Sequence, residues 1–102
     1  MEKLKKMTNE EVVSVIGEPA IFELLAEECS ELAHSSLKMA RVMRGENPTP
    51  VTPSLAKVTL LEELADIRTT LKIVEGTSVY NEQMVRCIME IKEKRMNERL
   101  SK

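Results

Sequence analysis

The sequence predicts an all-α fold. Two long core helices carrying acidic motifs form a helical bundle with a short N-terminal helix and a C-terminal helix, and oligomerisation completes it. Three observations lead there. Apolar residues recur at steps of three and four through residues 25–43 and 60–74, the period of a helix with one buried stripe. Capping residues and prolines stand where those stretches begin, and glycines where they end. No run of alternating apolar and polar residues bounded by turn residues reads as a strand.

The elements follow in order. Thr8, Asn9, Glu10 and Glu11 fit a capping box, in which the Thr8 hydroxyl and the Glu11 carboxylate satisfy the first unpaired amides of a helix. That helix runs through Val12, Val13, Val15 and Ile16, and Gly17 ends it. Pro19 suits the first turn of the next helix, which extends to about Arg44, ahead of Gly45. Leu25, Cys29, Leu32, Ser36, Met39 and Met43 give it one apolar seam. Residues 45–53 hold three of the four prolines and read as an ordered connector. Thr52 caps a third helix with Pro53 at its first position. This helix reaches about Glu75, and its seam is Leu60, Leu64, Ile67, Leu71 and Val74. A last helix begins at Thr77 or Ser78 and continues to residue 98 or so.

Composition narrows the function. At 102 residues the chain is a single domain, 1–102, and its hydrophobic content of 42% fits a folded chain. So short a chain buries a limited core, and three or four helices leave an apolar face uncovered, which points to self-association as a homodimer or homotetramer. A net charge of −2 argues against nucleic-acid polymers or membrane surfaces as partners. No apolar run reaches the length of a membrane span, and the N-terminus lacks an apolar segment behind its positive charges, so a cytoplasmic location is expected. Cys29 and Cys87 fall on expected buried helix faces, without a closely spaced partner, and read as free thiols. Phe22 and Tyr80 are the only aromatic residues, and seven methionines supply an adaptable core in their place.

The chemistry lies in two acidic stretches. Residues 24–33 place Glu27, Glu28 and Glu31 inside an apolar helical pattern, and residues 60–67 do the same with Glu63 and Asp66. At about 100° per residue, Glu28 and Glu31 stand about 60° apart on their helix. Glu28 is three residues after Leu25 and four before Leu32; Glu63 is three after Leu60 and four before Ile67. Each therefore borders a seam, where carboxylates repel and are partly desolvated. If the two helices pack antiparallel, the pairs converge into a hard-oxygen site suited to Mg²⁺, with Mn²⁺ a possible substitute. Mg²⁺ tends to be completed by phosphate oxygens, so a nucleotide is the natural co-ligand. The plainer alternative is a pair of solvated helix faces.

The sequence Glu27-Glu28-x-x-Glu31 followed by Glu63-x-x-Asp66 resembles the EExxE and ExxD motif pair of the MazG-like all-α nucleoside triphosphate pyrophosphohydrolases, a superfamily that includes dimeric dUTPases and phosphoribosyl-ATP pyrophosphohydrolase. The resemblance spans residues 21–99, including Leu37-Lys38 and the Arg44-Gly45 turn. It implies that Glu28, Glu31, Glu63 and Asp66 hold Mg²⁺, and that Glu27 adds a ligand or orients the attacking water. Glu27 and Glu28 are thus the expected catalytic residues. It further implies hydrolysis of a (deoxy)nucleoside triphosphate to the monophosphate and pyrophosphate. The long proline-rich connector departs from the family pattern and bears on the base-binding wall more than on the metal site.

Lys92, Arg95 and Arg99 share a face of the last helix, and the family also has basic residues near its C-terminal end. Lys92 and Arg95 are the expected phosphate-binding residues, joined by Lys38, two turns beyond Glu31. Glu31-x-x-His34 resembles half of a di-iron motif, but the facing helix offers no second histidine. His34 therefore reads as solvated, Tyr80 as a packing or capping residue and Cys29 as a small core residue. Three alternatives remain at the level of sequence: phosphoribosyl-ATP as substrate, a di-metal redox bundle, or a helical interaction module without catalysis.

Overall fold

A computed structural model describes residues 4–46 and 51–102. Four helices and no strand occur among them: α1 (Asn9–Ile16), α2 (Glu18–Arg44), α3 (Pro53–Val74) and α4 (Glu82–Leu100). The expected all-α class is observed. Pro48, Thr49 and Pro50 of the connector lie outside the described residues.

The helix ends follow from local hydrogen bonding. Thr8 Oγ1 accepts from the Glu11 amide at 3.1 Å, and the Glu11 carboxylate accepts from the Thr8 amide at 3.2 Å, so the capping box is closed. Gly17 has φ +95°, a backbone that side-chain-bearing residues rarely adopt, and so one residue serves both as the end of α1 and the start of α2. Thr52 Oγ1 accepts from the Leu55 amide at 3.1 Å ahead of Pro53.

The last helix begins later than the sequence suggests. Thr77 spends its hydroxyl on the Val74 carbonyl at 2.7 Å, closing off α3. Ser78 gives both its amide (3.0 Å) and its hydroxyl (2.7 Å) to the Glu18 carboxylate. Neither is left to cap a helix, and Asn81 does so instead, accepting from the Met84 amide at 2.9 Å. The Ser78–Glu18 contact brings the end of α3 beside the start of α2, so the two long helices run antiparallel.

Most interhelical contact is between α2 and α3, and α1 packs on both. The buried line of α2 passes through Ile21 and Ser35, with Leu24, Leu25, Glu28, Leu32, Met39 and Val42 half-buried along it. On α3 the buried line is Ala56, Ile67 and Thr70, with Leu60, Glu63 and Val74 half-buried. Both lines are rotated from the expected seams. Cys29, Ser36 and Met43 of the α2 seam are exposed, as are Leu64 and Leu71 of the α3 seam. Cys87 is exposed too; both cysteines are free thiols, and neither occupies the expected buried face. The rotation has a physical basis. Each helix has an apolar sector wider than one neighbour covers, and the buried line combines small residues (Ser35, Ala56, Thr70) with two isoleucines (Ile21, Ile67). Leu37, Leu61, Leu64 and Leu71 are left outside.

α4 makes no contact with α1, α2 or α3, and every one of its residues is exposed. Its base is nevertheless held: Glu18 binds Ser78, Thr77 is buried, and Gly76 lies against α1. A Cβ on Gly76 would sit 2.7 Å from the Asn9 carbonyl carbon, which no real Cβ tolerates. No described helix is long and apolar enough to cross a membrane.

Gly76→Ala is therefore expected to push α1 away from the end of α3 and to lower unfolding free energy by about 1–3 kcal/mol, as overpacking does elsewhere. Ile21→Ala, at a side chain with no exposed surface, should cost about 2–5 kcal/mol. Urea denaturation followed by helical circular dichroism measures both, and a Gly76→Ala chain as stable as the parent would refute the close contact.

Candidate metal centre

The rotation of α2 and α3 carries Glu28 and Glu63 into the helix contact instead of beside it. Along α2, Glu28 continues the row Ile21, Leu24, Leu25 toward Leu32 and Ser35; along α3, Glu63 sits between Leu60 and Ile67. One further position toward the open side on each helix come Glu31 and Asp66, both exposed. Antiparallel packing brings the four together. One carboxylate oxygen from each of Glu28, Glu31, Glu63 and Asp66 lies within 4.8 Å of those from the other three.

This arrangement is unfavourable for the bare protein. Oε2 of Glu28 and Oε2 of Glu63 are buried from solvent and have no hydrogen-bond partner. Burial pushes the Glu28 carboxyl above its ordinary range, and the charges of Glu31, Asp66 and Glu27 push it further. Glu63 is raised by the same desolvation, then by the charge of Glu31, by a hydrogen bond with the Glu31 carboxyl, and by the charges of Asp66 and Glu28. Every charge acting on the pair is thus negative. The one ion pair among the described residues, Arg86 with Glu82 at 3.0 Å, lies on α4.

Orphaned carboxylate oxygens in an all-oxygen donor set fit a hard divalent cation, which would supply the missing partner for both. Carboxylate-only donors favour Mg²⁺, Ca²⁺ or Mn²⁺ over metals that seek nitrogen or sulfur. His34 is exposed on α2 and is not among the converging residues, so the cluster lacks the imidazole of a di-iron site. An open stretch of surface beside Glu90, Lys94 and Asn97 on the unaccompanied α4 has none of Glu28, Glu31, Glu63 and Asp66 in its lining.

The other expected site residues are not gathered in the same way. Glu27 is exposed on α2 next to Glu28, close enough for its charge to act on it. Lys38 is half-buried on α2, two turns past Glu31, while Lys92 and Arg95 are exposed on α4. Tyr80 donates its hydroxyl to Glu82, which with burial pushes its pKa up to about 12, and it serves the turn into α4. The Glu18–Ser78 clamp was not foreseen. A glutamate at a helix start and a serine sixty residues later carry no shared periodic signal.

Comparison with protein-family models, with curated proteins and with solved structures finds no match for this chain.

The raised carboxyls set the sign of a pH effect. A group whose folded-state pKa is raised holds its proton more tightly in the folded chain than in the unfolded one. Ionisation of Glu28 and Glu63 therefore penalises the folded state above their raised values, and the penalty fades as pH falls through those values toward the ordinary 4.5. Glu63→Gln is expected to raise the metal-free melting temperature at neutral pH and to flatten its rise on mild acidification. Mg²⁺ should raise the melting temperature of the parent chain and leave that of the variant little changed. Differential scanning calorimetry with and without chelator reads all three, and a lower metal-free melting temperature for Glu63→Gln would mean that this carboxylate holds α2 to α3.

Proposed function

We propose that this protein is a Mg²⁺-dependent nucleotide pyrophosphohydrolase that cleaves a (deoxy)nucleoside triphosphate to the monophosphate and pyrophosphate, and that it works as an oligomer. The observation that carries the reading is the convergence of four carboxylates, two of them with buried, unpartnered oxygens. The resemblance of Glu27-Glu28-x-x-Glu31 and Glu63-x-x-Asp66 to the MazG-like motif pair supports it independently, because the motif positions are the ones that converge.

Glu28, Glu31, Glu63 and Asp66 would hold the cation, with Mn²⁺ able to replace Mg²⁺. Bound there, Mg²⁺ supplies positive charge that neutralises the triphosphate and polarises its α-phosphoryl group. Glu27 is exposed beside the cluster, so its carboxylate is available to orient a water and accept its proton. The water oxygen bonds to the α-phosphorus, the bond from that phosphorus to the α–β bridging oxygen breaks, and pyrophosphate leaves with the electron pair. Positioning and charge neutralisation contribute most of the acceleration in such phosphoryl transfers. Glu28 and Glu63 are half-buried on the two long helices, and the pairing of α2 with α3 would limit the freedom of both donors. A substrate such as phosphoribosyl-ATP presents the same phosphates, and no residue described above discriminates against it.

Incubation with a panel of nucleotides and Mg²⁺ should release pyrophosphate and monophosphate in equal amounts. Glu28→Gln should lower turnover by about 100-fold or more while preserving helical content. Orthophosphate without pyrophosphate, or no product from any nucleotide, would contradict the reading.

A further inference from the structure

Hydrogen bonding along the turn from α3 to α4 divides at Ser78. On the α3 side the bonds are local. The Gly76 amide donates to the Ile73 carbonyl at 2.9 Å, and the Thr77 amide and hydroxyl both donate to the Val74 carbonyl, at 3.0 and 2.7 Å. They end at Thr77, which is buried, while Gly76 is wedged against Asn9 of α1. On the α4 side the bonds are local again. Tyr80 donates its hydroxyl to Glu82, Arg86 Nε donates to the same carboxylate at 3.0 Å, and the Asn81 side chain accepts from the Met84 amide at 2.9 Å. Each set holds its own helix end, and neither joins the two.

Glu18 joins them. Among the described residues, the only hydrogen bonds from residues 78–102 to the rest of the chain are the two that Ser78 gives to the Glu18 carboxylate. Its amide donates to one oxygen at 3.0 Å and its hydroxyl to the other at 2.7 Å. α4 adds no helix contact of its own. Glu18 is the first residue of α2, directly after the Gly17 turn, where a helix N-terminus favours negative charge. The two Ser78 donors hold its carboxyl below the ordinary range, so it is ionised at neutral pH and accepts through both oxygens. Such charge-assisted bonds are stronger than neutral ones. Both are exposed, however, so water can replace either partner as they part.

The lever is long. α4 has 19 residues, about 28 Å, and each residue from Ser78 to Asn81 brings two soft backbone dihedrals. A rotation of about 20° there carries the far end of α4 about 10 Å. Lys92, Arg95 and the other charged side chains of α4 move with it.

We propose that the Glu18–Ser78 pair is a latch. Closed, it holds α4 in one direction; open, it lets α4 swing about residues 78–81 while α1, α2 and α3 keep their packing. The pivot lies beyond the buried Thr77, and Ser78 and Val79 are exposed, so the swing leaves the core in place. This inference stands apart from the pyrophosphohydrolase reading and needs no substrate.

The two native thiols report on the latch. Cys29 lies on α2 and Cys87 on α4, both exposed and free, so a nitroxide on each gives a distance from core to arm by pulsed electron double resonance. The labelled chain is diluted into an excess of an unlabelled Cys29→Ser, Cys87→Ser chain, so that only distances within one chain are read. The parent should give one narrow distance, and Glu18→Ala should lose it to a broad distribution at unchanged helical content. Ser78→Ala, which keeps the amide donor, should fall between the two. Glu82→Ala removes a carboxylate bonded to Tyr80 and Arg86 alone, and should match the parent. A Glu18→Ala distribution as narrow as the parent's overturns the latch, as does equal broadening in Glu82→Ala or a broad distribution in the parent. Should Glu18→Ala lose helical content, Ser78→Ala decides, and a distance there as narrow as the parent's overturns the proposal.

Discussion

Two carboxyl oxygens buried from solvent and without a hydrogen-bond donor, Oε2 of Glu28 and of Glu63, lie where α2 meets α3, and the rest of the structure is arranged around that cost. Taking a carboxylate oxygen out of water without a hydrogen-bond partner costs free energy, and here it is done for one oxygen each of Glu28 and Glu63, both half-buried residues of one cluster. The surrounding helix contact must be strong enough to hold it. The buried Ile21, Ser35, Ala56, Ile67 and Thr70, and the clamp from Glu18 to Ser78, provide that contact. A protein that needed only a stable pair of helices would be better served by leucine at positions 28 and 63. The presence of glutamate at both positions is what directs attention to a cation.

A second imbalance is geometric. The α2·α3 pair with α1 is a partial bundle, and α4 adds surface without adding burial. The turn between α3 and α4 is heavily bonded, although it leads to the least contacted of the described helices.

Much of this was legible in the sequence. Helix boundaries that depend on local chemistry, such as the Thr8–Glu11 box, Gly17, Gly45 and the Thr52-Pro53 start, could be read directly, because caps and backbone preferences involve residues three or four apart. The start of α4 could not. Thr77 and Ser78 are good capping residues, but one is used by Val74 and the other by Glu18, sixty residues away. The seams were found in outline and misplaced in phase. A wide apolar sector tells which residues can be buried and not which half a particular neighbour will cover. That error had one consequence for the site: Glu28 and Glu63 looked like residues beside a seam and turned out to lie within it. Their pairing with Glu31 and Asp66 survived, since spacings of three on antiparallel helices bring the same residues together under either phase. The base-binding end of a nucleotide had no counterpart in the sequence, for want of aromatic and amide side chains directed to one place.

The central claim is that the four carboxylates are a divalent-cation site, and binding of Mn²⁺ observed by electron paramagnetic resonance tests it most directly, free of any assumption about substrate. The account predicts Mn²⁺ held by the parent chain at neutral pH, displaced by excess Mg²⁺, and lost in Glu63→Gln. Equal Mn²⁺ signals from parent and Glu63→Gln in the presence of protein, with no bound fraction in either, would contradict it.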